Sequence, residues 1–333
     1  MHVFIRLIFI IFALLQAGCA TQIAPSKFAQ AEQFPVLLAH RGMSQTYSAV
    51  DVQNDTCTAM RIYPPTHTYI ENTTSSMQAA FDAGAQIVEI DIHPTTDGQF
   101  AVFHDWMLDC RTNGKGRTRD FAMADLKTLD LGYGYSADGG KTFPLRGTTT
   151  EKMPSLQEVL KQFTGKRFLI NIKSNDPEEG RLLANFLKDI PRDTRSLLAV
   201  YGGQKPLEIV RNSVPDIITM SNDSLKDCLL SYLAIGWSGY VPTSCHYNLI
   251  LMPYNYAHFF WGWPHVFNTR MQSVGSAVFI AGPYEAGAAS RGIDSISELE
   301  HIPDNYRGGV WTNQIQRIGH ALQQRKLEST NQK

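Results

Sequence analysis

Residues 86–93 read Gln86-Ile87-Val88-Glu89-Ile90-Asp91-Ile92-His93. The apolar residues at 87, 88, 90 and 92 make a short, nearly continuous run of the kind a strand shows when both of its faces are covered. Two carboxylates interrupt the run two residues apart. Side chains alternate across a strand, so Glu89 and Asp91 share one face with His93, while Val88, Ile90 and Ile92 share the other. The apolar face packs against helices. The charged face must look into a place where polar groups are tolerated, and in a barrel of parallel strands that place is the inner mouth.

Similar runs lie on either side, at residues 36–39, 100–103, 168–172, 197–201, 217–220, 277–281 and 309–311. Helical patterns fall between many of them, at 74–83, 155–163, 179–188 and 314–323. Apolar strands alternating with amphipathic helices indicate a parallel sheet covered on both faces. Their number over residues 34–323 predicts an α/β fold of the (β/α)8 TIM-barrel type. No Gly-x-Gly-x-x-Gly or Walker-type loop is present, which removes the nucleotide-binding reading of an α/β sequence. Two connections are long, about 43–70 and 106–152. Long loops in compact domains tend to be functional, and in a barrel these two belong to the active-site face.

The chain has 333 residues and a formal net charge of -1, so nothing in its charge suggests a nucleic-acid partner. Residues 1–18 read as a signal peptide: Arg6, then an apolar run from Leu7 to Leu15, then small residues. Gly18-Cys19 resembles the lipobox of bacterial lipoproteins, with Leu15 one place further from the cysteine than usual. Lipidation at Cys19, a tether over 19–33 and a membrane-anchored location in the bacterial cell envelope, facing the periplasm, are therefore expected. The polar stretch 324–333 reads as a tail. Beyond Cys19 four cysteines remain, Cys57, Cys110, Cys228 and Cys245. In an oxidising compartment they allow two disulfides in three pairings, of which Cys57–Cys110 with Cys228–Cys245 is preferred, and four buried thiols are the alternative. No Cys/His spacing suits zinc.

Polar residues at strand ends carry the chemistry. His40-Arg41 ends the first run, His104-Asp105 follows residues 100–103, and Asn171-Ile172-Lys173 ends the run at 168–172. Two carboxylates in one barrel mouth do not both stay ionised cheaply without a cation, and hard oxygen ligands favour Mg²⁺ or Ca²⁺. Salt bridges to Lys173 or Arg41 are the alternative. His40 and His104 titrate near neutral pH and suit general acid–base work. Arg41 offers a planar fork for a phosphate and Lys173 a point charge. His93 has the parity to join the mouth. The aromatic stretch 254–263 suits either a helix packed on the barrel or an apolar subsite.

Taken in order, His40-Arg41-Gly42, Glu71-Asn72-Thr73, Glu89-Ile90-Asp91, Val102-Phe103-His104-Asp105, Lys173 and Gly309-Val310-Trp311-Thr312-Asn313 resemble the glycerophosphodiester phosphodiesterase family. The resemblance implies a TIM barrel, a divalent metal and hydrolysis of glycerophosphodiesters to glycerol phosphate and an alcohol. It implies His40 and His104 as the acid–base pair, Glu71, Glu89 and Asp91 at the metal, and Arg41 and Lys173 on the phosphate. Two positions depart from it. The family usually has Glu where this chain has Asn171, and its last strand more often ends in Thr-Asp than in Thr312-Asn313. Asn171 leaves two other readings open, a catalytically degenerate binding lipoprotein and, with the aromatic stretch, a phosphodiesterase directed at lysophospholipids.

Overall fold

The computed structural model describes residues 27–28, 35–48, 51–53, 55–148, 150–285, 291–304 and 306–331. The signal peptide, Cys19 and most of the tether lie outside the described residues. Eight strands run parallel: β1 (Val36–Ala39), β2 (Ile87–Pro94), β4 (Arg167–Ile172), β5 (Leu198–Gly202), β6 (Ile218–Met220), β7 (Leu249–Pro253), β8 (Ala277–Ala281) and β9 (Gly309–Thr312). Their spatial order is β6-β5-β4-β2-β1-β9-β8-β7. The two ends of that order meet through one parallel bridge, Thr219 with Asn248, so the barrel is nearly closed.

One strand is not where the sequence pattern suggests. Residues Phe100–Val102 form β3, which pairs antiparallel with β2 and stays off the barrel path. The physical reason is the connection. Only residues 95–99 separate the two strands, with Gly98 at φ +76° and the Thr95 N–H donating to the Gln99 carbonyl at 2.9 Å. That is a hairpin turn, whereas a parallel neighbour needs a crossover of about a dozen residues or more. The sixth barrel place goes instead to β7, whose apolar residues run on into the aromatic stretch without a break in the sequence.

Longer helices follow the strands: α1 (Thr74–Asp82), α2 (Leu156–Gln162), α3 (Pro177–Asp189), α4 (Gln204–Ser213), α5 (Asn222–Ile235), α6 (His265–Ser273) and α7 (Ile315–Asn331), the last taking in most of the polar tail. Their starts are written in the sequence. Thr73 caps α1 by accepting the Ser76 N–H. Ser155 and Glu158 form a reciprocal capping box on α2, and Asp176 with Pro177 opens α3. Inward-facing Val36, Leu38, Ile87, Leu169, Ala199, Ile218, Leu249, Phe279 and Trp311 fill the barrel. Outward-facing Val88, Ile90 and Ile92 pack with Met77 and Phe81 of α1. Each Leu, Ile or Phe so buried contributes about 1.5–3 kcal/mol.

Both long connections rise from strand C-termini and share an apolar cluster of their own, with Ala59, Ile62 and Ile70 of one meeting Leu108, Leu126, Tyr135 and Leu145 of the other. The Cys57–Cys110 disulfide ties them together, and a second bridge joins Cys228 to Cys245. The aromatic stretch divides its side chains. Ala257, Phe260 and Trp263 pack inward, while Tyr256, Phe259 and Trp261 are about half exposed.

Candidate active site

The first turn after β1 builds one wall of the mouth. Arg41 sits at φ +60°, a conformation that costs a non-glycine residue roughly 1–2 kcal/mol. Two contacts hold it there: its N–H donates to Glu89 Oε2 at 3.0 Å, and its carbonyl accepts the Asn72 N–H at 3.1 Å. Gly42 follows at φ +76°, where a Cβ would lie 2.9 Å from the Ser76 backbone. A glycine is needed there both for the turn and for the approach of α1.

Arg41 then reaches across the mouth. Its Nη1 donates to Glu71 Oε1 at 3.2 Å, and its Nε lies 3.2 Å from Asp91 Oδ2. Lys173 Nζ is 3.6 Å from Asp91 Oδ1. The Asn171 amide donates to the same Oδ1 at 2.8 Å. Asp91 and Asn171 are register partners on β2 and β4, and Asn171 is in turn the partner of Tyr201 on β5. The Tyr201 hydroxyl donates to Glu89 Oε1 at 2.7 Å.

Both histidines come to this centre. His40 Nε2 lies 3.7 Å from Glu89 Oε2, and its Nδ1 is 2.5 Å from Asn313 Oδ1. The Asn313 amide is already committed, donating to Asp294 Oδ2 at 2.8 Å. Its oxygen must therefore accept, which assigns the His40 proton to Nδ1 and leaves Nε2 bare. His104 is fixed in the same sense, because its Nδ1 donates to Asp105 Oδ1 at 2.5 Å. His93 is buried on the face shared with Glu89 and Asp91, and its Nε2–H donates to the His104 carbonyl at 3.3 Å. It supports the backbone of a site residue.

Burial and charge tune these groups. Burial, then Asp91, push the Glu89 carboxyl up to about 8. Burial acts on Asp91 in the same direction, but Lys173 and Arg41 outweigh it and hold Asp91 well below the usual carboxylate range. Burial and then Arg41 lower His40 well below an ordinary imidazole, and lower His104 to about 4. Unliganded, both rings are neutral near pH 7.

A divalent cation fits this centre by charge and donor type. Burial and the nearby Asp91 disfavour charge on Glu89, and a cation is one way to offset that repulsion. Glu71 adds a third carboxylate. The set is not gathered into a cage: among the described residues no group of three or more His, Cys, Asp or Glu side chains is arranged to hold a metal ion. The Asn171 amide N–H faces Asp91.

Pattern reading thus finds His40, Arg41, Glu71, Glu89, Asp91, His104, Asn171 and Lys173, and all of them lie at the mouth or one contact from it. It does not find the partners. Asn72 on Asp91, Asp105 behind His104 and Asn313 behind His40 stand inside the motifs already quoted but without a sign of these tasks, and Asp294 behind Asn313 and Arg111 behind Asp105 have no local signature. Strand-end parity with Asn171 is the one signal that points to Tyr201.

Nearly closed, parallel and polar at its C-terminal mouth, the barrel belongs to the TIM-barrel class. More particularly, residues 40–224 match the Glycerophosphoryl diester phosphodiesterase family, and the chain belongs to that family. It is 36% identical over 103 residues to a glycerophosphodiester phosphodiesterase of Caldanaerobacter subterraneus subsp. tengcongensis, covering 31% of this chain and 39% of that protein. It is 33% identical over 126 residues to one of Bacillus subtilis, covering 35% and 41%. The aligned stretch thus spans less than half the length of these relatives. Among solved structures, a glycerophosphoryl diester phosphodiesterase domain from Mycobacterium tuberculosis superposes with a TM-score of 0.58 at 13% identity, covering 87% of this chain and 99% of that one. An Oleispira antarctica phosphodiesterase in complex with the product sn-glycerol-3-phosphate superposes with a TM-score of 0.52 at 20% identity, covering 87% and 97%. At these identities the structural likeness shows the fold.

Proposed function

We propose that this chain hydrolyses glycerophosphodiesters to glycerol phosphate and an alcohol. One observation carries the reading: two histidines, His104 buried and His40 partly so, each have Nδ1 tied to an oriented oxygen acceptor, His40 to Asn313 and His104 to Asp105, so both offer Nε2 at a mouth that also holds Arg41 and Lys173. An anionic diester would seat its phosphoryl oxygens near those two cations. One histidine takes the proton of the substrate's glycerol hydroxyl as its oxygen attacks phosphorus. The other, which takes up a proton on Nε2 when the anionic diester is bound, gives that proton to the departing alcohol as the old P–O bond breaks. Water then opens the resulting cyclic phosphate with the two roles exchanged. Glu71, Glu89 and Asp91 would hold a divalent cation, which when bound would supply charge stabilisation for the phosphoryl oxygens. Tyr201 and Asn72 hold Glu89 and Asp91 in place.

Purified protein with Mg²⁺ or Ca²⁺ should release glycerol phosphate from glycerophosphocholine. His104→Ala should lower kcat by roughly 10²–10⁴-fold, as expected for removal of an acid–base group. Undiminished turnover by His104→Ala would sink the assignment.

A second reading concerns the alcohol. Tyr256 and Phe259 follow β7 and Tyr284 follows β8, so all three stand at the mouth; each is about half exposed, and the Tyr256 ring lies about 6 Å from each of the other two. This rim suits the apolar part of a lysophospholipid. A panel comparing glycerophosphocholine with lysophosphatidylcholine below its micellar concentration decides between them, since a rim that serves lipid favours the second in kcat/KM. For location we propose the cell envelope, with an anchor at Cys19. The support is the N-terminal apolar run and two disulfides, which persist in oxidising compartments. Incorporation of labelled fatty acid, abolished by Cys19→Ser, is the test.

A further inference from the structure

Arg111 is a large side chain with 1% of its surface exposed, in a loop far in sequence from most of the mouth. A buried guanidinium is costly unless its charge and its donors are met. Here two carboxylates from different segments meet the charge, and three side chains take hydrogen bonds from its Nη groups. Nη1 donates to Glu71 Oε2 at 3.0 Å and to the Tyr135 hydroxyl at 2.9 Å. Nη2 donates to Thr58 Oγ1 at 2.7 Å. Nε lies 2.9 Å from Asp105 Oδ2. The other oxygen of Asp105 accepts the His104 Nδ1 proton.

The disulfide explains how Arg111 comes to be there. Thr58 follows Cys57 and Arg111 follows Cys110, so the bridge joins the backbones beside both partners of the Nη2 hydrogen bond. Gly134 packs behind, where a Cβ would lie 1.8 Å from the Cys110 carbonyl oxygen, and its N–H donates to the Arg111 carbonyl at 3.1 Å. The 106–152 connection is thereby locked around the arginine.

We propose that Arg111 is a positioning residue for His104. It acts through Asp105 and is held in place by the Cys57–Cys110 bridge. Its charge keeps Asp105 ionised and the close Nε–Oδ2 ion pair holds that carboxylate against the loop, so the His104 ring keeps one tautomer and one orientation. The kinetic part of this inference rests on the phosphodiesterase reading; the hydrogen-bond part does not.

The test uses the full mature chain labelled with ¹⁵N-histidine. In the unsubstituted protein the His104 Nδ1 proton should give a downfield, exchange-protected resonance, identified by its loss in His104→Gln. Arg111→Met should lose or shift it, Arg111→Lys should retain it in part, and Cys57→Ser with Cys110→Ser should broaden it. An unchanged resonance in Arg111→Met overturns the proposal. In glycerophosphocholine turnover at saturating Mg²⁺, Arg111→Met should lower kcat by about 10–100-fold with little change in KM, the size expected from a misplaced catalytic group. Combined with Asp105→Asn it should add nothing further, and effects that multiply would also overturn it. Should Arg111→Met not fold, Arg111→Lys and the cysteine pair carry both measurements, and a wild-type resonance and kcat in both variants rejects the idea. If the unsubstituted protein cleaves no diester while the resonance behaves as described, the functional reading fails and the positioning stands.

Discussion

Asn72 grips Asp91 from two directions: its amide donates to Asp91 Oδ2 at 3.0 Å, and its side-chain oxygen accepts the Asp91 backbone N–H at 3.1 Å. Asn72 itself stands at φ +61°, which asparagine tolerates better than most residues. Backbone and side chain of the acidic residue are thus set by one amide from the loop before α1. Removing it leaves a buried carboxylate oxygen short of a donor and a strand N–H short of an acceptor. Asn72→Ala should cost about 1–3 kcal/mol of stability in urea denaturation and lower kcat at the same time. A variant with full stability and full activity would show that Asp91 is held by other means.

Asn313 offers a cleaner separation of activity from folding. Asn313→Leu leaves the His40 Nδ1 proton unpaired and frees the ring to turn. We expect kcat to fall by about 10–100-fold with KM changed little, since ring orientation bears on the reacting atoms. Asp294→Asn should have a smaller effect in the same direction, because Asp294 holds Asn313 through both its side-chain and backbone N–H groups. Steady-state kinetics of the two variants gives the order; the reverse order would contradict it.

His104 predicts an acid-side loss of stability. Burial, and then Arg41, lower its pKa to about 4, while the same imidazole in the unfolded chain titrates near 6.5. Between these values the unfolded state binds a proton that the folded state refuses. The stabilisation is complete above about pH 6.5 and falls as pH drops toward about 4, by about 3 kcal/mol for this group alone. Urea midpoints should therefore decline between about pH 7 and pH 4.5, and less steeply in His104→Gln. Equal slopes would place the His104 titration elsewhere.

Asn171 is the position to change for metal affinity. Asn171→Glu replaces an amide donor on Asp91 with a second negative charge. Without added metal the variant should melt at a lower temperature than the parent. With Mg²⁺ or Ca²⁺ it should gain more, and calorimetric titration should show binding tightened by about tenfold, corresponding to about 1.4 kcal/mol. A variant that responds to neither ion any better than its parent would mean that Lys173 and Arg41 already satisfy these carboxylates.

Much of the barrel is legible before any tertiary contact is known. Apolar periodicity is a local property, and it marks seven of the eight parallel strands and four of the seven longer helices. Parity alone puts Glu89, Asp91 and His93 on one face. It fails at residues 100–103, because an apolar run looks the same in a hairpin as in a barrel, and only the five-residue turn before it distinguishes them. It also passes over β7, where strand and aromatic stretch merge.

What the sequence alone determined, then, is the alternation that makes a barrel, the four cysteines beyond Cys19, and the two histidines and acidic pair at strand ends. The tertiary structure decided which groups complete them. His40 meets Asn313 across 273 residues, Glu89 meets Tyr201 across 112, and Arg111 gathers Thr58, Glu71, Asp105 and Tyr135 into one buried cluster. No spacing rule links such residues. They become neighbours only when β9 closes against β1, β5 lines up beyond β4, and a disulfide ties two loops over the mouth, because a hydrogen bond depends on where chains end up in space and not on how far apart they lie in sequence.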